Sequence, residues 1–233
     1  MRIAILSDIH GNLEALTKAL SLVAERGVDS IICLGDTVGY GANPNECLDL
    51  MMKATPNILL GNHDEAAVNL DAKEEFNSMA RTAIEWTADV LTDDHKEFLS
   101  LLPYTLEIEG ALFVHASPHE PEQWHYIISP MDAHKNFYAF TEQICFVGHT
   151  HAAAVYGEDV WARTVEQGKR FIVNVGSVGQ PRDMNPRLSF GIFDTAEWKY
   201  ENVRSEYDVE TASEKIRAAG LPRMLADRLL VGR

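Results

Sequence analysis

Ile31-Ile32-Cys33-Leu34-Gly35-Asp36 is the stretch that decides how this chain folds. Four consecutive apolar residues mark a strand covered on both faces, and the run breaks at a glycine followed by a carboxylate. In α/β proteins a buried strand commonly places chemistry at its C-terminal tip. Working outward, four further apolar runs end the same way. Residues 3–7 lead to Asp8 and His10, 58–61 to Asn62 and His63, 111–114 to His115, and 144–148 to His149 and His151. Each of those side chains can hold a metal ion or take part in moving a proton.

The segments between these tips set the architecture. Residues 2–7 read as the first strand. A helix opens at Gly11 or Asn12 and runs to about Arg26, with Leu13, Leu16, Leu20 and Val23 at helical spacing, and Gly27 stops it. Asn43-Pro44 starts a second helix that reaches about Lys53, and residues 57–60 read as a short third strand. Strand, helix, strand, helix, strand with long connections predicts parallel pairing in one sheet. Residues 65–102 read as helical, with Thr92 or Asp93 capping a further helix that ends before Pro103. Residues 104–108 and 111–115 form a hairpin around Glu109-Gly110. Residues 117–130, with Pro118, His119, Trp124 and His125, form a loop long enough to serve as a lid. A helix over 131–140 precedes strands over 143–148, 153–156, 160–163, 170–175, 188–194 and 198–203, and helices over 209–219 and 222–230 close the chain. No linker, repeat or low-complexity tract interrupts it, so one domain over residues 1–233 is expected.

Size and composition exclude several function classes. A chain of 233 residues with 46% hydrophobic residues can bury roughly 70% of its unfolded surface. Its net charge of −15, with no Lys/Arg run, argues against a sequence-independent grip on nucleic acid. The three cysteines, Cys33, Cys47 and Cys145, show no CxxC spacing, and two lie inside apolar runs, as buried thiols do in a reducing compartment. With no signal-peptide pattern and no membrane-length apolar run, the cytoplasm is the expected location, with no membrane partner. A homodimer is the default expectation for assembly.

Taken together, Asp8-x-His10, Gly35-Asp36, Gly61-Asn62-His63-Asp64, His115 and Gly148-His149-Thr150-His151 hold five of the nine histidines. Imidazole and carboxylate without thiolate select manganese, iron, cobalt, nickel or zinc over a cysteine-rich structural site. So many candidate ligands exceed the needs of one tetrahedral ion, whereas two ions roughly 3.5–4 Å apart, sharing a carboxylate, need about this number. In isolation an Asp caps a turn and a His is a polar loop residue; at five strand tips at once, ligation is the better reading. For Asn12 and Asp64 the helix cap is preferred. His95 reads as a solvated helix face, and His119, His125 and His134 as surface or lid residues.

These motifs, in this order, resemble the calcineurin-like metallophosphoesterase superfamily. Gly39-Tyr40-Gly41 and the stretch from Asn174 to Arg182 resemble its small, single-domain prokaryotic phosphodiesterase-like branch. The resemblance implies an α/β fold, a two-sheet mixed β-sandwich flanked by helices. It implies two divalent transition-metal ions, manganese first, with iron, nickel, cobalt or zinc as alternatives. Asp8, His10, Asp36 and His151 would hold one ion, and Asp36 would bridge to a second completed by Asn62, His115 and His149. A hydroxide between the ions would be the nucleophile, and His63 would protonate the leaving oxygen or stabilise its charge. Asn62, His63 and Arg182 would contact the substrate, a small phosphoester.

In the Ser/Thr protein phosphatase branch the second motif carries a further Asp and an Arg; here it reads Gly35-Asp36-Thr37-Val38-Gly39-Tyr40-Gly41. Without that bidentate cation a terminal phosphomonoester dianion is poorly served. The expected activity is therefore hydrolysis of a phosphodiester of a small or nucleotide-like substrate. A phosphomonoesterase or dinucleoside polyphosphate hydrolase is the alternative. A non-catalytic scaffold, the remaining one, would have lost ligands, and none is lost here.

Overall fold

The computed structural model describes residues 1–158 and 164–233, except the side chains of residues 74 and 75. The strand expected over residues 160–163 lies outside the described residues. In chain order the elements begin with β1 (Arg2–Leu6), α1 (Leu13–Glu25), β2 (Ser30–Cys33) and α2 (Pro44–Ala54). Helices α3 (Asn62–Val68), α4 (Ser78–Val90) and α5 (Asp93–Ser100) follow, then the hairpin β3 (Thr105–Ile108) and β4 (Ala111–Val114). Next come α6 (Pro130–Asn136), β5 (Ile144–Val147), β6 (Ala154–Gly157), β7 (Phe171–Asn174), β8 (Leu188–Asp194) and β9 (Lys199–Ser205). Helices α7 (Val209–Ala218) and α8 (Arg223–Leu229) close the chain.

Two mixed sheets result, as expected. One has the order β2-β1-β8-β9, the other β3-β4-β5-β7-β6. In the first, β1 and β2 run parallel while β8 and β9 return antiparallel; in the second, β4, β5 and β7 run parallel between antiparallel edges. Their inner faces interdigitate: Ile3, Ile5 and Ile32 of one sheet pack with Phe113, Phe146 and Phe171 of the other, all at 0–1% exposure. Alternation along β1 sends Ala4 and Leu6 to the opposite face, where Leu16, Ala19 and Val23 of α1 and Met51 of α2 cover them. On the outer face of the second sheet, Val114 and Ile172 pack against Ala133 of α6 and Phe137. The strands β4, β5 and β7 are thus buried along their whole length, as a continuous apolar run requires.

Three local expectations change. Residues 57–60 make only a single parallel bridge, Ile58 to Cys33, because Pro56 lacks a donor and the Leu60 amide turns to the Pro103 carbonyl at 2.9 Å. The helix expected over 131–140 ends at Asn136 and tightens into a 3-10 turn over Phe137–Ala139, which lets both Phe137 and Phe140 enter the outer core beneath the Arg170 guanidinium. His95 is 7% exposed, not solvated: its ring nitrogens meet Asn45 Oδ1 at 2.8 Å and Asp49 Oδ1 at 3.0 Å, joining α5 to α2.

Candidate active site

Parallel pairing within each sheet brings the C-terminal tips to one end of the molecule, and backbone hydrogen bonds lock the tip loops together. The Asp8 and His10 amides donate to the Gly35 and Asp36 carbonyls at 3.1 and 2.9 Å, and the Gly148 amide donates to the His115 carbonyl at 2.8 Å. Asp8, His10, Asp36, His149 and His151 all hold positive φ, between 52° and 65°. That region is uncommon outside glycine and costs free energy unless the surroundings impose it, so its concentration here marks a site rather than a scaffold.

Each carboxylate is divided between two tasks. Asp8 Oδ2 accepts from the His149 amide at 3.0 Å and Asp36 Oδ1 from the His63 amide at 2.8 Å. Their other oxygens, Asp8 Oδ1 and Asp36 Oδ2, are buried without a hydrogen-bond partner, as is His149 Nε2. The imidazoles are set up in a complementary way. Nδ1 of His10, His115 and His151 faces the carbonyls of Val38, Leu34 and Gln180 at 3.0, 3.1 and 2.6 Å. A carbonyl only accepts, so Nδ1 carries the proton and Nε2 is turned inward, the orientation that histidine metal ligands adopt.

The inward atoms converge. His10 Nε2 lies 3.1 Å from His151 Nε2 and 3.6 Å from Asp36 Oδ2; His151 Nε2 lies 3.3 Å from Asp8 Oδ1. Opposite them, His115 Nε2 is 3.4 Å from Asp36 Oδ2 and 3.2 Å from Asn62 Oδ1. Around an ion with bonds of roughly 2.1 Å, neighbouring ligand atoms stand roughly 3.0–3.4 Å apart, so these spacings fit a cation. Two clusters, Asp8–His10–His151 and Asp36–His115–His149, satisfy the requirement separately, with Asp36 also beside His10 and His63 in a third. The residues present therefore fit two divalent ions with Asp36 between them.

Protonation states point the same way. Burial raises Asp8 and Asp36, but His151 beside the first and His115 beside the second hold both below the usual carboxylate range. Burial lowers His10 and takes His149 to about 3, which leaves these two rings neutral with lone pairs available; burial lowers His151 as well, against the pull of Asp8. For His115 burial acts downward too, yet the Asp36 carboxylate overrides it and pushes the ring up to about 9.

A cleft of about 130 Å³ opens on this centre, with Asp36, Asn62, His63, His149, His151 and Arg182 in its lining. His63 is packed between Tyr40 and Phe76, at centroid distances of 4.3 and 4.9 Å, and burial lowers it to about 4. Gly39, at φ +88°, is required there: a Cβ would meet His63 Nδ1 at 2.7 Å. Arg182 donates to Gln180 Oε1 at 2.8 Å and lies 5.5 Å from the Tyr40 ring centroid. All nine candidate site residues thus gather at one end of the fold. Asn12 and Asp64 serve as caps, as expected: Asn12 accepts from the Ala15 amide, and Asp64 from the Val38 and Gly61 amides.

Sequence reasoning missed the cleft's aromatic and amide walls, Tyr40, Phe76, Asn77 and Tyr126. Tyr40 lies within a quoted motif, and Tyr126 follows Trp124 and His125 in the loop singled out as a lid; nothing local reveals which ring of such a loop faces inward. The role of the Asn174–Arg182 stretch was also hidden. Ser177 Oγ donates to the Asp8 carbonyl at 2.7 Å and Asn174 Nδ2 to the Gly148 carbonyl at 2.6 Å, so this segment braces two of the tip loops.

Comparison with known proteins gives a consistent picture. A sequence profile of the calcineurin-like phosphoesterase superfamily domain matches residues 1–197. An uncharacterized protein of Methanocaldococcus jannaschii is 40% identical over 241 residues, covering 99% of this chain and 98% of that protein. A metallophosphoesterase from Sphaerobacter thermophilus superposes with a TM-score of 0.88 at 39% identity, covering 100% of this chain and 99% of the other. A hypothetical protein from Pyrococcus horikoshii OT3 shares the fold with a TM-score of 0.84 at 21% identity, covering 100% and 98% of the two chains.

Proposed function

The chain belongs to the calcineurin-like phosphoesterase superfamily, and on that premise we propose that it is a two-metal phosphodiesterase acting on a small or nucleotide-like substrate. The observation that carries this reading is the pair of buried carboxylate oxygens left without partners, Asp8 Oδ1 and Asp36 Oδ2, facing inward imidazole nitrogens. Leaving such atoms unsatisfied is costly unless a cation completes them. Asp8, His10, Asp36 and His151 would hold one ion and Asp36, Asn62, His115 and His149 the other. Manganese is the leading candidate for a site of imidazole, carboxylate and amide oxygen, with iron, cobalt, nickel and zinc the others. Bound ions would acidify water into a nucleophile near neutral pH and neutralise phosphate oxygens, which lets a chain of net charge −15 accept an anion.

The chain's own groups supply the rest. Arg182 extends a guanidinium into the cleft that is held by a neutral amide, leaving its charge available to a phosphate oxygen. His63 lies against the cleft beside Asp36 and is placed to protonate the leaving oxygen or stabilise its charge. Burial keeps its ring neutral. An anionic phosphate beside it favours the imidazolium and opposes that bias. Among the described residues one guanidinium, that of Arg182, lines the cleft, which suits the one charge of a diester better than the two of a terminal monoester.

His63→Asn is expected to keep both ions and lose roughly 10²–10⁴-fold in turnover, the usual worth of a general acid, whereas Asp36→Asn loses metal and activity together. Metal content measured beside hydrolysis of bis-p-nitrophenyl phosphate separates the two. A His63→Asn protein with intact turnover would remove the proton-donor role. Faster hydrolysis of p-nitrophenyl phosphate than of the bis ester would replace the diesterase reading with a monoesterase.

A further inference from the structure

Tyr126 stands at the mouth of the cleft and has no part in the chemistry proposed above. One face of its ring packs on the His149 imidazole, centroids 4.1 Å apart and planes 33° from parallel, yet 56% of the residue stays exposed. The ring is held there by its neighbours. Ile127 is 1% exposed in the outer core, and the Trp124 indole donates to Glu65 Oε2 at 3.0 Å, tying the loop to the helix that begins with Asn62 and His63. An open aromatic face fixed in advance is what a stacking ligand uses without paying to order it.

The size and charge of the cleft say what kind of ligand this is. The cleft, about 130 Å³, admits a phosphate group, and Tyr40, Phe76 and Tyr126 are aromatic side chains of its lining. Of these three rings Tyr126 is the exposed one, so it is the face offered to a group that extends from the phosphate toward solvent. A quaternary ammonium group also favours aromatic faces. Arg182 lines the same cleft, however, among the described residues no carboxylate pairs with it, and it disfavours a second cation. A neutral planar ring meets no such penalty.

We infer that Tyr126 is a specificity-determining residue, on which a nucleobase of the substrate stacks while its phosphate lies in the cleft. The inference rests on the phosphoesterase reading and narrows its substrate to nucleotide esters. AMP and ribose 5-phosphate share a phosphate and a sugar and differ by the base, so they serve as probes, each tested as an inhibitor of bis-p-nitrophenyl phosphate hydrolysis by manganese-loaded enzyme. AMP is expected to bind about tenfold more tightly or better, the size of one base-on-aromatic stack. Tyr126→Ala should remove most of that ratio and Tyr126→Phe should keep it, a pattern that general loss of structure does not produce. Equal inhibition by the two probes, a ratio that survives in Tyr126→Ala, or phosphocholine binding as tightly as AMP would overturn the inference. If the enzyme hydrolysed no diester, the phosphoesterase reading would fall, and calorimetric binding of the same two probes would still decide the role of Tyr126.

Discussion

At the scale of single residues, Asp36 is the pivot. One of its oxygens is committed to the His63 amide, which fixes the carboxylate plane, while the other is left bare between His10 and His115. Gly61 completes the arrangement, since a Cβ at that position would collide with Asp36 Oδ1. The same carboxylate governs His115. Burial alone would lower this ring, but Asp36 lifts it from 6.5 to about 9, so in the metal-free protein it carries a proton that a metal must displace. The sign follows directly. A raised histidine pKa contributes stability to the metal-free fold that is fully present below pH 6.5 and lost as pH rises through about 9. Metal affinity moves the other way, weakening as pH falls below 9. Calorimetric titration with manganese in buffers of different ionisation enthalpy should register proton release at pH 7.5; no release would mean that Asp36 does not hold the proton on His115.

Among elements, the loop over residues 117–130 connects to the chemistry through a small clasp. Glu65 accepts from Trp124 Nε1 at 3.0 Å and from the Tyr104 hydroxyl at 3.4 Å, and the Trp124 indole lies edge-on to His115, centroids 5.7 Å apart. The helix that carries Asn62 and His63 is therefore fastened to the loop that carries Tyr126. Glu65→Ala removes the shared acceptor, costing about 1 kcal/mol for the strongest of these half-buried bonds. The expected result is faster hydrogen exchange and proteolysis within residues 117–130, with melting temperature nearly unchanged. Unaltered exchange would show that the clasp does not hold the loop. In the structure the clasp holds this segment, expected as a lid, against the helix that carries Asn62 and His63.

For the whole molecule, packing of the two sheets and the fit of the metal centre are coupled. The tips of β1 and β2 come from one sheet and those of β4 and β5 from the other, so the centre spans the interface beneath which Phe113, Phe146 and Phe193 pack. Ions bound there would join the sheets at their shared end and relieve the buried unpartnered oxygens. A ligand at a hundred times its dissociation constant adds about 2.7 kcal/mol, which in a chain of this size moves the melting temperature by on the order of 5–10 °C. Chelation should lower the midpoint by that amount and manganese should restore it. A midpoint indifferent to chelator would mean the native fold does not hold ions. No helix among the described residues is long and apolar enough to cross a membrane.

The sequence by itself determined the apolar runs, the residues at their tips and hence the donor chemistry, because strand burial and side-chain identity are written locally. His10, His115, His149 and His151 are legible for that reason. Only the tertiary structure decided which oxygen of Asp8 and Asp36 stays bare, that His95 is buried against α2, and that Tyr40, Phe76 and Tyr126 wall the cleft. Those outcomes depend on contacts between segments far apart in the chain, such as the His149 amide on Asp8 and the Trp124 indole on Glu65. No window of neighbouring residues carries that information, since a loop's aromatic ring faces inward or outward according to what the rest of the fold sets against it.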